Sequence, residues 1–320
     1  MRNKKIKSEL INKKSFFKIK KDYEEKRGYL KKKPKIAHVI NPFKCLKDNP
    51  SYLYYAQPIT FKSMHVAQLE AQKYDVEIEL FAINFPEDDE IVPNYFLKLP
   101  HLRRSTLTEF PKISKQRKLP IVQEIFDSIL ENSDADFIIF TNSDIGLQKN
   151  FYKKVYDFIT KDNLKSFIIN RRDNIPKFKL KKRITEKDLD IIYKEKGIIH
   201  TGKDCFIISR DILKIVNTNL LFTGYPPWGN TLYKILKKIN SKTYLFENEY
   251  LTFHLGMEET WSFDKKNELL LKNNEISRMI LPWDILFFDD LKKFRINVLK
   301  KSIKKLLNQF KKILLYLIKK

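Results

Sequence analysis

The sequence predicts an α/β domain: a mixed, mainly parallel sheet flanked by helices. Three observations predict it. Apolar strand-like runs and amphipathic helical patterns alternate from about residue 36 to 172, the order that builds parallel sheets covered on both faces. The runs themselves, such as "FIIF" at 137–140, are rich in Ile and Phe. With 320 residues and 42% hydrophobic content, the chain is long enough and apolar enough to bury a sizeable core.

The elements follow in order. "IAHVINPF" (36–43) reads as a first strand stopped by Asn41-Pro42, and Ile59 to Lys73 carries a helical pattern with Met64, Ala67 and Ala71 on one face. "VEIELFAI" (76–83) is a second strand, followed by a Pro-rich and charged loop over 84–118. Ile121, Ile125, Phe126 and Ile129 recur at helical spacing behind Pro120. "ADFIIFTN" (135–142) is the third strand, "NFYKKVYDFIT" (150–160) an amphipathic helix, and "KSFIINRR" (165–172) a fourth strand. Further on, a short strand lies within "IIHTGKDCFIISRDIL" (198–213), and the loop "GYPPWGN" (224–230) feeds a helix. Another strand ends on His254. There is no GxGxxG, GxxxxGK[ST] or HExxH, so the dinucleotide, P-loop and zinc-protease readings lack their residues.

Charge is unevenly placed. Of the formal +24, residues 1–35 carry +11 and residues 291–320 carry another +11, leaving +2 for the 255 residues between. The basicity lives in the tails, which argues against a nucleic-acid-binding body. Two cysteines form neither a disulfide framework nor a CxxC pair, so a reducing compartment is expected. No early apolar stretch suits a signal peptide, and the longest uninterrupted apolar run near either end is "ILLYLI" at 313–318. The tail instead repeats Leu299, Ile303, Leu306, Phe310, Ile313 and Leu317 among lysines, which reads as a basic amphipathic helix for an anionic membrane surface or for packing on protein. Only seven glycines remain, against roughly 22 for average usage, so Gly146, Gly202, Gly224, Gly229 and Gly256 are informative positions.

The candidate site begins where the third strand ends in "TNSD" (141–144). Ligands of open α/β sheets sit beyond the carboxyl ends of the strands. Asp144 reads either as a cap of the following helix or partner of a neighbouring Lys, or, with adjacent hydroxyl and amide oxygens, as a ligand for Mg²⁺ or Mn²⁺. His254, next to Gly256, reads as a structural histidine or as a nitrogen ligand to the same ion. Arg171 and Arg172 form either a solvated pair or a bidentate clamp for a pyrophosphate. Cys205 reads as packing. Trp228 reads as a sugar-stacking face or as a lid packed on the core.

The succession "TNSDI", "NRR", "HTGKDCFIISRDIL", "GYPPWGN" and "TFHLG" resembles GT-A-type glycosyltransferases, which use nucleotide-diphosphate sugars on a Rossmann-like sheet. The resemblance covers roughly residues 35–262. Together with the charge pattern of the tails, it divides the chain into three segments: a basic arm over 1–34, a GT-A-like domain over 35–290 and a basic amphipathic helix over 291–320. It places the family's Asp-x-Asp metal motif on Asn142-Ser143-Asp144, with Asn142 replacing the first acid, and a metal-binding His on His254. The family's acceptor-side segment is similar to Gly202, Phe206 and Arg210, whereas "GYPPWGN" lacks the acid that many relatives carry there. By implication a divalent cation is the cofactor. Asn41, Pro42, Arg103, Arg104, Asn142 and Ser143 join Arg171, Arg172 and Trp228 in holding the nucleotide sugar, and Asp204 or Glu258 acts as base. The implied activity is sugar transfer to an acceptor hydroxyl in surface polysaccharide or glycolipid synthesis, by a cytoplasmic protein peripheral to the membrane inner face. An inactive scaffold of the same fold is the alternative, and a polyanion- or nucleic-acid-binding protein a third reading.

Overall fold

The computed structural model describes residues 33–45, 52–114, 117–173, 184–255 and 267–281. The arm expected over 1–34, except for its last two residues, and the helix expected over 291–320 lie outside these residues, as do Gly256 and Glu258.

Seven strands form the main sheet: β1 (Ile36–Ile40), β2 (Ile78–Ala82), β3 (Leu97–Lys98), β4 (Phe137–Thr141), β6 (Ser166–Ile169), β9 (Cys205–Ser209) and β10 (Tyr244–Phe246). They lie in the order β10-β6-β9-β4-β1-β2-β3. All run parallel except β9, which is antiparallel to both its neighbours β4 and β6. The carboxyl ends of β1, β2, β4 and β6 therefore share one edge with the start of β9. Chain order reverses between β1 and β4, and such a switch point opens a crevice at that edge.

Strand side chains alternate between two cores. Ala37, Val39, Ile138 and Phe140 pack on one side with helix α2 (Val122–Asn132), whereas Ile36, Ile40, Phe137 and Ile139 pack on the other with α1 (Tyr52–Gln72) and α3 (Phe151–Thr160). Helices α4 (Trp228–Ile239) and α5 (Glu268–Ile280) complete the first side. Helix α1 begins seven residues before the expected start at Ile59 and carries Pro58 inside it. Proline usually opens a helix rather than interrupting one, which is why the sequence pattern points to the later start. The buried face of Ala56, Ile59, Met64, Ala67 and Ala71 holds the helix across it.

A second sheet was not visible in the sequence. It has four strands in the order β5-β11-β7-β8: β5 (Ile145–Leu147), β7 (Arg172–Asp173), β8 (Ile198–Ile199) and β11 (Thr252–His254). Strands of two or three residues are too short to show a period, and they come from four separate stretches of chain. The edge strand β5 is covered by α1, whose Ser63 Oγ accepts from the Leu147 amide at 3.0 Å. Gly146 is fixed by the same sheet. Its register partner is Phe253, and a Cβ there would lie 2.1 Å from the fully buried Phe253 ring.

Candidate functional site

The main sheet brings three polar residues to one edge through its register. Thr141 pairs with Cys205, so the next residue of each strand end, Asn142 and Asp204, face one another, and Asn142 Nδ2 donates to Asp204 Oδ1 at 3.1 Å. Ile168 pairs with Phe206, which carries the chain after β6 to the same place. There Arg171, 5% exposed, donates from Nη1 to Asp204 Oδ2 at 3.0 Å.

The small sheet supplies the rest. After the turn at Asn142–Asp144 the chain leaves the main sheet and enters β5, so Asp144 stands at the junction of the two sheets and caps no helix. β11 lies between β5 and β7, with His254 opposite Ile145 on one side and Asp173 on the other. The imidazole consequently sits between two carboxylates, with Nε2 3.1 Å from Asp144 Oδ2 and Nδ1 3.2 Å from Asp173 Oδ1. Arg171 Nε lies 3.5 Å from Asp173 Oδ1, joining this row to Asp204. His200, just past β8, accepts from the Gly202 amide on Nδ1 at 2.8 Å, with its Nε2 3.4 Å from Arg171 Nη2.

These charges depend on one another. Burial pushes the His254 ring toward neutrality, but Asp144 and Asp173 reverse this and raise its pKa to about 9. Burial likewise opposes ionisation of Asp144, yet His254 and Arg171 hold its carboxyl below the ordinary value. Asp173 is held low in the same way, against its own burial, by His254, Arg171 and His200.

Asp144 and His254 have the chemistry of a divalent-ion site. Asp144 Oδ1 is buried without a hydrogen-bond partner among the described residues. Two donors 3.1 Å apart are spaced like neighbours in an octahedral shell, whose edge is ~3 Å for bonds of about 2.1 Å. Among the described residues no third His, Cys, Asp or Glu joins them in a metal-ligating group. Such a pair fits Mn²⁺ or Mg²⁺ whose remaining ligands are phosphate oxygens and water.

Other expected site residues go elsewhere. Arg172 points away from Arg171, as strand alternation requires; it donates to the Lys196 and Gly197 carbonyls and lies over the Tyr250 ring. It thus pins β7 to the β8 turn and is absent from the phosphate clamp expected of it. Trp228 is 5% exposed in the core, with ring centroids 5.7 Å from Phe140 and 5.6 Å from Phe206, so the sugar-stacking expectation is corrected in favour of packing. Arg210 is corrected too. Because β9 runs antiparallel, its far end lies at the opposite edge of the sheet, where Arg210 donates to the carbonyls of Leu130, Ser133 and Ala135 at the end of α2.

Arg103 and Arg104 offer their backbone amides to Glu124, and the Arg104 side chain pairs with Glu109. Asn41 donates to the Ile83 carbonyl at 2.7 Å, tying the ends of β1 and β2, and Pro42 beside it is buried. Ser143 is buried within the turn. Cys205 is fully buried, and burial pushes its thiol well up, as packing requires. Two further residues, Asp173 and His200, stand in the row at Arg171. Asp173 follows "NRR" directly, which was the available signal, and His200 was visible only as a polar residue ahead of a strand.

No protein-family model matches the chain, and no curated protein matches it. Its course matches solved GT-A glycosyltransferase structures. One is S. aureus TarS in complex with UDP-GlcNAc, with 13% identity over 77% of this chain and a TM-score of 0.47. The chain spans 65% of that TarS chain. Another is the glucosyl-3-phosphoglycerate synthase of Mycobacterium tuberculosis in complex with Mn²⁺ and UDP-glucose, with 12% identity over 80% of this chain and 83% of that one, and a TM-score of 0.43. The same synthase with Mg²⁺ and UDP gives 14% identity over the same shares and a TM-score of 0.44. These are likenesses of the overall course of the chain alone.

Proposed function

We propose that the protein is a metal-dependent glycosyltransferase that moves a sugar from a nucleotide-diphosphate donor to an acceptor hydroxyl. The observation that carries this reading is the Asp144–His254 pair, 3.1 Å apart beside the buried Arg171, at the switch-point edge of the sheet. A carboxylate, an imidazole and a guanidinium converging there suit a diphosphate and its counter-ion.

In this reading Asp144 and His254 hold the ion, and Asn41 and Pro42 border the nucleotide base. A bound divalent ion supplies electrostatic stabilisation of the leaving diphosphate. Arg171 adds its own fixed charge, already oriented by Asp204 and Asp173, so little reorganisation is needed as negative charge grows. The acceptor oxygen bonds to the anomeric carbon, the bond from that carbon to the diphosphate breaks with its electrons going to the diphosphate, and the acceptor proton passes to a carboxylate. Asp204 is the proposed proton acceptor among the described residues, with Glu258 the other candidate. Arg103 and Arg104 stay proposed as outer phosphate contacts. The domain is proposed to span 35–290. The basic segments at 1–34 and 291–320 are proposed to meet an anionic membrane on its cytoplasmic side, where a lipid-linked or polysaccharide acceptor is made; among the described residues no helix is long and apolar enough to cross it.

Incubating the protein with a panel of UDP-, GDP- and CMP-sugars and Mn²⁺, and measuring nucleotide release, tests the reading. Metal-dependent release from one donor is expected, and release from none, by folded protein that also binds no nucleotide, rejects it. One observation favours a second reading, an inactive scaffold: Asn142, where the family's first acid would stand, is engaged with Asp204. Nucleotide binding without turnover on any acceptor would support it.

A further inference from the structure

Asp173 is little more than half buried, yet its carboxylate turns inward. Its side chain is 45% exposed, and Oδ1 reaches His254 Nδ1 at 3.2 Å and Arg171 Nε at 3.5 Å. The contact is set by backbone register, since Asp173 and His254 are direct partners of the parallel β7–β11 pair. Strand β7 is two residues long and pinned from the other side by Arg172, which donates to the β8 turn. The short strand thus has one inward carboxylate, and that carboxylate faces the nitrogen of His254 pointing away from Asp144.

A histidine that binds a metal through one nitrogen commonly donates its other N–H to a carboxylate, which fixes both the tautomer and the ring plane. Asp144 by itself cannot do this, because it approaches Nε2, the nitrogen that must be bare to ligate. The 3.2 Å approach is an ion pair, and Asp173 Oδ1 is buried without a formed hydrogen bond among the described residues. We infer that Asp173 is a positioning residue for the divalent-ion site, its charge on the Nδ1 side of the His254 ring keeping the ring proton there and so presenting Nε2 and its lone pair toward Asp144. The inference rests on the divalent-ion reading of the Asp144–His254 pair. Asp173 touches neither metal nor substrate in it; its effect passes through the ring.

The full chain is titrated with Mn²⁺ alone, with free ion followed by electron paramagnetic resonance, as wild type, Asp173→Asn and Asp173→Ala. Loss of the carboxylate should weaken Mn²⁺ binding by about 10- to 100-fold in Asp173→Ala, with Asp173→Asn intermediate because its amide oxygen keeps a partial negative charge beside Nδ1. The ¹⁵N imidazole spectrum with Cd²⁺, a diamagnetic substitute, supplies a readout that a merely structural role would not move. Wild type should carry the proton on Nδ1 and the metal-shifted resonance on Nε2, and Asp173→Ala should lose that distinction. Unchanged affinity and unchanged nitrogen assignment in a folded Asp173→Ala protein would overturn the positioning role while leaving the metal site standing. Absence of Mn²⁺ binding by wild type would instead overturn the metal reading, and the inference with it.

Discussion

Two histidines are almost wholly buried, and they live in opposite surroundings. His38, in the middle of β1, lies between the Tyr152 hydroxyl at 2.7 Å and the Thr141 hydroxyl at 2.9 Å. His254, at the end of β11, lies between Asp144 and Asp173. Burial alone forces the first ring neutral, down to a pKa of about 3, whereas carboxylates keep the second charged despite equal burial. A neutral ring with both nitrogens satisfied by hydroxyls is a completed piece of core. A charged ring between acids is a site holding a proton where a metal ion can sit. Burial is therefore the same for the two rings, and their partners alone set them apart: hydroxyls for His38, carboxylates for His254.

The largest effect is expected on the functional side. Asp204→Asn should lower turnover by about 10²- to 10⁴-fold, the usual contribution of a general base, while nucleotide affinity changes little. A parallel loss of nucleotide binding would mean that Asp204 serves only to hold Arg171, and steady-state kinetics alongside calorimetry separates the two.

On the structural side, acid should unfold the protein through His38. The unfolded chain takes up a proton near pH 6.5 and the folded ring resists it to about 3. Stability is thus complete above pH 6.5 and falls as pH drops through that window, by up to about 1.4 kcal/mol per pH unit. Denaturant titrations of wild type and His38→Gln between pH 7 and 4 check this; equal slopes in the two would contradict it.

His254 should show the reverse dependence in metal-free protein. Its raised pKa means the folded state holds the extra proton, so this stabilisation is full below pH 6.5 and is lost as pH rises through about 9. The same titrations continued to pH 10 should show a decline that His254→Gln lacks. Smaller still, Gly146→Ala should destabilise by about 1–3 kcal/mol, since the Phe253 ring has no room to retreat, with the melting temperature as readout.

The large sheet was legible because its strands are long enough to show composition and alternation, and β1, β2, β4 and β6 fall where the pattern places them. The reversal of β9 left no trace in "CFIIS", because a buried strand looks the same in either direction. Asp144, His254, Arg171 and Asp204 were readable as polar residues at strand ends, and the structure brings these four together. Asp173 was not, because its importance comes from pairing with a strand about 80 residues later, and two-residue strands carry no periodic signal. Trp228 misled for a related reason: a Pro- and Gly-rich loop suggests exposure, whereas the residue is the first of a helix packed on Phe140 and Phe206.

In the proposed reading Asp144 and His254 form the ion-dependent half of a nucleotide site. Calorimetric titration with UDP, GDP and CMP, each with Mn²⁺ and with chelator, on wild type and Asp144→Ala tests it most directly. One nucleotide should bind, chelator should abolish the binding, and Asp144→Ala should lose it. Nucleotide binding indifferent to both metal and mutation, or no binding by demonstrably folded protein, would contradict it.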